Sequence, residues 1–560
     1  MSSYTELLTP LYGPDRAART GQSIKAALAA HAARFQREAK QPLDEKDVVL
    51  ITYGGTFLRD GEAPLATLAS VYGRYFRDLA SAIHILPFYP YTSDDGFSVV
   101  DYSQVNPALG DWGDIARLAG QADLMFDGVI NHISQESEWF QGFLADDPRY
   151  DGWFMEVPAD TDVSAVVRPR PQSPIQPYQD EKGRTRHVWA TFSQDQVDLN
   201  YGEPAVLLAV LDVLLDYVAR GARFLRLDAI AFLWKRLGTG CIHLDETHRI
   251  IKTLRLALTE AHPDVRLITE TNVPHRENIS YFGSGDDEAH MVYNFALPPL
   301  VAHALISGNA DILADWASGL SLPGPDTCFF NFTASHDGVG VRPVEGILTT
   351  DQRQLLIDAA HRAGGHVSMR ATGDGGAAPY ELNCTYPDLL TPPEAPDDVR
   401  LARMLVSQAI MLAMPGVPAL YVHSCIGTRN DLDRVEARGH WRAINRSQID
   451  ADALEVALAD GRNFRTKVHS GLGRLVAARR GHPAFHPQAG FTIALPDPRL
   501  FTIIRQADGG SPVRCIANVS ASSVAMELPR GGHDLLSGER FKAGPYDVPP
   551  HGLLWLEEGA

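Results

Sequence analysis

Residues 222–229 read ARFLRLDA, a short apolar run that ends in a carboxylate, and this stretch decides the fold of the 560-residue chain. Continuous apolar runs of this kind are typical of parallel strands that are buried on both faces. Seven similar runs, each followed by a helical pattern, occur at 47–54, 82–88, 123–132, 265–271, 290–295, 326–337 and 416–423. Eight strands alternating with helices predict an α/β protein with the (β/α)₈ TIM-barrel architecture.

The remaining sequence predicts appendages around that barrel. Residues 1–46 are read as an N-terminal helical extension and residues 47–482 as the barrel. Two intervals, 133–221 and 338–400, are too long for ordinary strand-to-helix loops, so we expect them to form subdomains after strands three and seven. In residues 483–560 the apolar period falls to two, which predicts a C-terminal antiparallel β domain.

Composition excludes several classes of function. The chain has 50 Lys and Arg against 69 Asp and Glu, a formal net charge of −19, which opposes binding to nucleic acid or to an acidic membrane surface. No stretch reaches the roughly 18 apolar residues that a membrane span needs. The five cysteines are scattered and form no metal-binding pair. The N-terminal residues have no export signal, so we expect a cytoplasmic protein.

Charged side chains follow three of the predicted strands. In a barrel of this kind, catalytic groups lie at the carboxyl ends of the strands. Because side chains alternate along a strand, Arg226 and Asp228 project to the same side, and the guanidinium favours the ionised carboxylate that a nucleophile requires. Glu270 follows an apolar run, where burial would keep it protonated as a general acid. His336 and Asp337 end the seventh strand.

One ionised and one protonated carboxyl group are what a retaining glycosidic displacement needs. The ionised group attacks the anomeric carbon while the other protonates the departing oxygen, and a third carboxylate stabilises the cation-like transition state. Any one of these residues alone could be a helix cap or a partner in a structural ion pair. Three of them at one barrel mouth, together with Arg226 and two histidines, favour catalysis.

Four segments resemble the signature regions of the α-amylase superfamily: FDGVINH at 126–132, GARFLRLDA at 221–229, ITET at 268–271 and NFTASHD at 331–337. Their order and spacing also match. The resemblance implies specific roles for six residues. The nucleophile, the acid/base and the transition-state stabiliser would be Asp228, Glu270 and Asp337, and the glucose subsite would be lined by His132, Arg226 and His336.

A finer resemblance is to the sucrose phosphorylase subfamily. The segment at 84–102 looks like its second-strand region and implies that Asp94 and Phe97 close the glucose pocket. The segment WRAINR at 441–446 implies that Arg442 pairs with Asp94 and blocks longer sugar chains. The subfamily is generally metal-free, so we expect neither a metal nor a cofactor.

The same resemblance implies contacts outside the barrel strands. VRPRP at 167–171 looks like the loop with the phosphate-contacting arginine, here Arg170. Arginine suits this role because its planar fork binds phosphate through two hydrogen bonds. Phe192 and Gln196 would lie near the glucosyl site, and Tyr380 would belong to the acceptor site.

The acceptor loop departs from the sucrose-specific pattern. Residues 377–381 read AAPYE, where sucrose enzymes usually carry an aspartate and a glutamine that contact the fructosyl part. Val167 also replaces an aromatic residue. The N-terminal helical extension, the residues APYE at 378–381 and the run GDDEAHMVYNFALPPLV at 285–301 together resemble the glucosylglycerate phosphorylase branch. This resemblance implies reversible phosphorolysis of 2-O-α-glucosylglycerate through a covalent glucosyl-enzyme, giving α-glucose 1-phosphate and glycerate.

Glycerate carries a carboxylate, so its site needs a cation. Arg429, or Arg434 nearby, is the candidate that the sequence offers. Glu381, counted with the acceptor site, would repel glycerate unless it binds hydroxyls or is itself paired with a cation.

Several alternatives stay open at this point. Sucrose, sucrose 6′-phosphate and glucosylglycerol phosphorylases share the same chemistry, an α-glucosidase would transfer the glucosyl group to water, and a non-catalytic barrel would have lost its carboxylates. The expected partners are a small α-glucoside and inorganic phosphate, with no nucleic acid and no membrane. The resemblance is also compatible with a homodimer.

Overall fold

A computed structural model describes residues 3–35, 38–372 and 376–559, and a closed barrel of eight parallel strands lies at its centre. Each strand pairs with its sequence neighbours, and the first closes the ring by pairing with the last. The strands are β1 Val49–Thr52, β2 Ala82–Ile85, β3 Asp123–Gly128, β4 Ala222–Leu227, β5 Arg266–Thr269, β6 Met291–Tyr293, β7 Cys328–Phe332 and β8 Val417–Tyr421. This confirms the predicted fold class, and all eight strands lie within the predicted runs.

Helices surround the barrel and cover the outer faces of its strands. Their buried residues are mostly Leu, Val, Ile and Ala, which explains why the strands themselves are apolar on both sides. The principal ones are Pro64–Val71, Trp112–Ala119, Pro204–Ala219, Asp245–Ala261, Leu297–Ser307, Asp311–Ser318, Asp397–Ala413 and Phe464–Arg480. No helix in the described ranges is both long enough and apolar enough to span a membrane.

Two long excursions leave the carboxyl ends of β3 and β7. After β3, the strand His132–Ser134 pairs with Gln196–Asp198, and Ile175–Gln179 pairs with Thr185–Trp189. After β7, a three-stranded antiparallel sheet contains Val339–Gly340, His366–Ala371 and Ala377–Asn383, with the helix Thr350–Arg362 between the first two strands. Both excursions carry residues that line the cavity described below.

The two ends of the chain pack against the barrel. The N-terminal extension contains two helices, Tyr4–Tyr12 and Pro14–His31, which are separated at Gly13 because this residue adopts a positive φ of 76° immediately before Pro14. At the C-terminal end, a six-stranded antiparallel sheet consists of Gly490–Ala494, Leu500–Gln506, Val513–Asn518, Leu553–Glu558, Gly532–Asp534 and Arg540–Phe541. A separate pair joins Val524–Leu528 to Gly544–Val548.

Arg479 connects several segments at the base of the barrel through hydrogen bonds. It is fully buried and donates hydrogen bonds to the backbone carbonyls of Glu45, Asp47, Gly416 and Phe485. These carbonyls come from the entrances of β1 and β8 and from the segment that leads to the C-terminal sheet. Burial lowers the pKa of Arg479 to about 9.

We therefore expect Arg479→Met to destabilise the fold. The substitution leaves several buried carbonyls without donors, and each such loss costs about 1–3 kcal/mol. Thermal unfolding followed by circular dichroism should show a lower midpoint than the wild type. The matched control is Arg462→Met, since the side chain of Arg462 is 95% exposed. Equal midpoints for the two variants would contradict this role.

Candidate active site

A cavity opens at the carboxyl ends of the barrel strands. It brings together most of the residues that the sequence predicts for the site, although their individual roles stay predictions. The predicted residues that line it are Asp94, Phe97, His132, Arg170, Phe192, Gln196, Asp228, Glu270, His336, Asp337, Tyr380 and Arg442. Arg226 lies beneath the cavity, Glu381 is fully buried behind it, and Arg429 lies elsewhere.

Arg226 and Asp228 project to the same side of the chain at the end of β4, as the alternation predicts. Arg226 Nη1 donates to Asp228 Oδ1 at 2.8 Å and also to Asp127, its register partner on β3. Burial raises the pKa of Asp228, and the adjacent guanidinium opposes that rise. Since the guanidinium is 3.9 Å from Glu270 but 2.8 Å from Asp228, it favours ionisation of Asp228 more strongly.

Glu270 follows β5 and is held by the backbone of the neighbouring strand. Ala229 adopts the left-handed conformation, with φ of 50°, and its N–H donates to Glu270 Oε2 at 3.0 Å. A non-glycine residue in this region is strained, and such strain is found at functional sites. Burial raises the pKa of Glu270 to about 7, with Arg226 lowering it and Asp228 raising it further. This supports the predicted general acid.

Asp337 has a different electrostatic environment. Burial alone would raise the pKa of this carboxyl, but Arg442 and the more distant Arg446 and Arg226 hold it below its usual value. Arg442 Nη1 lies 2.8 Å from Asp337 Oδ1. The cavity therefore contains one carboxyl group that favours protonation near neutral pH and one that is held ionised.

Aromatic and imidazole rings form one end of the cavity. Phe97 stacks on His336, with ring centroids 4.9 Å apart and an angle of 3° between the ring planes. The ring centroids of Phe192 and His132 are 5.4 Å apart. His132 Nε2 lies 2.9 Å from the carbonyl oxygen of Phe97, and Gln196 donates to the same oxygen at 3.1 Å. Burial lowers the pKa of His336 well below its usual value, so this ring is neutral. A flat apolar wall with a few polar groups suits one sugar ring.

The predicted pairing of Arg442 with Asp94 is wrong. Arg442 instead binds Glu381 through Nε at 3.0 Å and Nη2 at 2.7 Å, besides its contact with Asp337. The reason is the short helix Trp441–Asn445, which brings Arg442 against the strand that carries Glu381. The cation nearest Asp94 is Arg446, 3.7 Å away, which also binds Asp95 at 2.8 Å.

The same pairing corrects the position of Glu381. This residue is fully buried, and besides Arg442 it accepts a hydrogen bond from the backbone N–H of Gly338. Its charge is therefore compensated within the protein, and it does not line the cavity. Glu381 therefore does not repel an acidic acceptor such as glycerate, because its charge is already paired with Arg442.

Arg429 is also misplaced by the sequence prediction. It lines a different recess beside the helix Leu432–Arg438, and its guanidinium binds Asp388. Asp388 in turn contacts Arg400 at 3.2 Å. Because Asp388 holds its guanidinium at that recess, Arg429 is absent from the active-site cavity. Arg434 lines another recess, next to Tyr91.

The two excursions after β3 and β7 also contribute arginines and a tyrosine to the cavity lining. Arg170 lies 5.8 Å from the ring centroid of Tyr380, and both residues line the cavity. Burial raises the pKa of the Tyr380 hydroxyl to about 12, and Arg170 and Glu270 are among the charges that act on it. Arg170 and Tyr380 therefore share the cavity with Glu270, and the charges of Arg170 and Glu270 both act on the Tyr380 hydroxyl.

Sequence reasoning missed several residues that line the cavity, including Arg342, Asn272, Phe232 and the backbone of Ala229. Arg342 lies five residues after Asp337, so its position as a charged residue just beyond a barrel strand could have identified it as a candidate for the site. Asn272 had a similar signal, two residues after Glu270. The amide of Asn272 lies against Gly340, where an added Cβ would come within 2.8 Å of its oxygen.

The side chain of Lys235 lies beside Asn131, in the segment that follows β3. Lys235 Nζ lies 3.2 Å from Asn131 Oδ1 and 2.7 Å from Asp198 Oδ2. The ammonium group therefore supplies the positive charge between these two oxygens. No cluster of three or more His, Cys, Asp or Glu side chains with metal-binding geometry occurs in residues 3–35, 38–372 and 376–559.

Comparison with known proteins agrees with this geometry. Residues 74–318 match the family described as alpha amylase, catalytic domain. The glucosylglycerate phosphorylase of Escherichia coli (strain K12) is 43% identical over 554 residues, covering 99% of both chains. The glucosylglycerate phosphorylase of Allomeiothermus silvanus is 46% identical over 514 residues, covering 91% of each chain.

A solved structure gives the same fold at lower sequence identity. The sucrose 6F-phosphate phosphorylase of Thermoanaerobacter thermosaccharolyticum superposes with a TM-score of 0.75 at 24% identity, covering 90% of this chain and 98% of that one. Sequence identity above 40% over nearly the whole chain identifies the family more specifically than the shared fold does. The chain therefore belongs to the glucosylglycerate phosphorylase family and carries the α-amylase catalytic domain.

Proposed function

We propose that this protein is a retaining glycoside phosphorylase that transfers the α-glucosyl unit of 2-O-α-glucosylglycerate to inorganic phosphate. The products are α-D-glucose 1-phosphate and glycerate. The observation that carries the proposal is a cavity at the carboxyl ends of the barrel strands that is lined by Asp228, Glu270 and Asp337 together with Arg170 and Arg342. The identity to two proteins named glucosylglycerate phosphorylase supports this choice of substrate.

In the first step, the Asp228 carboxylate attacks the anomeric carbon of the glucosyl unit. The bond between that carbon and the glycerate oxygen breaks, and Glu270 transfers its proton to the departing oxygen. A covalent glucosyl-enzyme ester forms, and glycerate leaves. Asp337, held ionised by Arg442, stabilises the positive charge that develops on the sugar ring.

In the second step, a phosphate oxygen attacks the same carbon and the ester to Asp228 breaks. Glu270, now ionised, accepts a proton from the incoming phosphate, which restores the starting state. Two inversions at one carbon give net retention, so the product is the α anomer. Arg170 binds the phosphate, because a guanidinium offers two parallel donors to its oxygens.

Two arginines that line the cavity favour an anionic leaving group over the neutral fructose that sucrose would release. Phosphate and glycerate must occupy this space in turn, and both are anions. Arg170 and Arg342 line it, while Glu381 is removed from it by its pairing with Arg442. A fructosyl group is neutral and would leave both guanidinium groups without a counter-charge.

A donor panel tests the proposal directly. The purified protein is incubated with glucosylglycerate, sucrose, sucrose 6′-phosphate or glucosylglycerol, with and without phosphate, and glucose 1-phosphate and free glucose are measured. We expect glucose 1-phosphate to form only with phosphate, and fastest from glucosylglycerate. Release of glucose at the same rate with or without phosphate would instead identify an α-glucosidase, and a preference for another donor would replace the proposed substrate.

A further inference from the structure

Arg342 is fixed at the acceptor end of the cavity by the sheet that follows β7. It comes directly after the strand Val339–Gly340, which pairs with the strand that carries Tyr380. The backbone N–H of Val341 donates to the carbonyl oxygen of Tyr380 at 3.0 Å. Arg342 is only 8% exposed, and its side chain lines the cavity. The backbone therefore holds Arg342 beside Tyr380.

The guanidinium of Arg342 makes no ion pair and no hydrogen bond within residues 3–35, 38–372 and 376–559. Two carboxylates, Glu277 and Glu345, act on it through their charges, but neither lies within ion-pair distance of the guanidinium. Glu345 binds Arg370 at 2.8 Å, and Glu277 lies 3.1 Å from His243. A buried cation without a counter-charge is costly, and burial lowers the pKa of Arg342 accordingly. An anion bound in the cavity would offset this cost.

Arg342 lies on the side of the acid/base. Its charge, like those of Arg170 and Glu270, acts on the hydroxyl of Tyr380, and all four residues line the same cavity. Glu270 protonates the oxygen that leaves the glucosyl unit. In 2-O-α-glucosylglycerate, that oxygen is attached to the carbon that bears the carboxylate. The carboxylate therefore comes within two bonds of the protonated oxygen, at the arginine end.

We propose that Arg342 binds the carboxylate of the acceptor and thereby selects 2-hydroxy acids over neutral polyols. This inference rests on the proposed function and adds the residue that recognises the acid group. Arg170 then binds the phosphate and Arg342 binds the carboxylate of glycerate. The guanidinium fork of Arg342 matches the two carboxylate oxygens in a way that an ammonium group does not.

The test compares two acceptors that differ only at the recognised group. Glycerate and glycerol are each offered with α-glucose 1-phosphate as donor, and kcat/KM is measured for both on the same preparation, so that any loss of folded protein cancels. In Arg342→Gln, the ratio of kcat/KM for glycerate to that for glycerol should fall roughly 10- to 100-fold, as expected for loss of a hydrogen bond to a charged group. Arg342→Lys should recover part of this ratio.

Arg429→Gln is the matched control, because it removes an arginine that lines a different recess. Its acceptor ratio should equal that of the wild type. If Arg342→Gln turns over neither acceptor, glycerate binding is measured instead, as the increase in the thermal unfolding midpoint when glycerate is added. Wild type and Arg429→Gln should show this rise, and Arg342→Gln should not.

Two outcomes would overturn the inference. In the first, the ratio of kcat/KM for glycerate to that for glycerol is the same in Arg342→Gln and in Arg429→Gln, or glycerate raises the thermal unfolding midpoint of both variants equally. The other is a higher KM for phosphate with an unchanged acceptor ratio, which would assign Arg342 to phosphate. Failure of the proposed function is distinguishable from both, because the wild type itself would then form no glucose 1-phosphate from glucosylglycerate.

Discussion

Asp228→Asn should lower phosphorolysis by roughly four to six orders of magnitude, the size of effect seen when a covalent nucleophile is removed. The amide cannot form the glucosyl ester, so the first displacement has no acceptor for the sugar. The fold should be retained, because Arg226 keeps its contact with Asp127 and Asp228 lies at the cavity rather than in the core. Initial rates of glucose 1-phosphate formation, together with thermal unfolding, check both expectations.

The covalent intermediate gives an independent readout. After brief exposure of the wild type to α-glucosyl fluoride without phosphate, mass spectrometry should detect one added glucosyl unit on the peptide that contains Asp228. Asp452→Asn, which alters an exposed carboxylate paired with Arg59, should behave as the wild type. A β-configured product, or substantial activity in Asp228→Asn, would contradict the double displacement.

Glu270→Gln should reduce kcat/KM for glucosylglycerate by about 10²- to 10⁴-fold, the usual contribution of a general acid. Glutamine keeps the shape of the side chain and accepts the hydrogen bond from the Ala229 N–H, but it has no proton to give. A donor whose leaving group needs little protonation should suffer less. Fluoride release from α-glucosyl fluoride in the presence of phosphate should therefore fall by a smaller factor.

The pH profile separates this acid role from a structural one. Because burial raises the pKa of Glu270 to about 7, the carboxyl is protonated below that pH and ionised above it. The kcat/KM for glucosylglycerate should fall as the pH rises through 7, and this limb should disappear in Glu270→Gln. A limb that persists in the variant, or an equal loss for the fluoride donor, would contradict the assignment.

The barrel and its three carboxyl groups could be predicted from the sequence because both depend on local pattern. Each apolar run forms a parallel strand, and the carboxyl ends of parallel strands meet at one rim. Alternation along β4 is enough to place Arg226 beside Asp228, 2.8 Å apart. The burial that raises the pKa of Glu270 also follows from the apolar run before it.

The partners of the arginines could not be predicted in this way. Arg442 binds Asp337 and Glu381, which are 105 and 61 positions away along the chain. The sequence offered Arg429 as the cation for the acceptor and did not single out Arg342, yet of these two arginines it is Arg342 that lines the active-site cavity. Their positions depend on how the long excursion after β7 packs against the segment after β8.

The sequence by itself determined the barrel, the strand ends and the three carboxyl groups that they carry, because short-range periodicity sets which side chains reach the rim. Only the tertiary structure decided that Glu381 is neutralised by Arg442 and that Arg342 is left without a counter-charge at the acceptor end. The physical reason is that charge compensation depends on distances between segments far apart in the chain, and these distances exist only once the loops have packed.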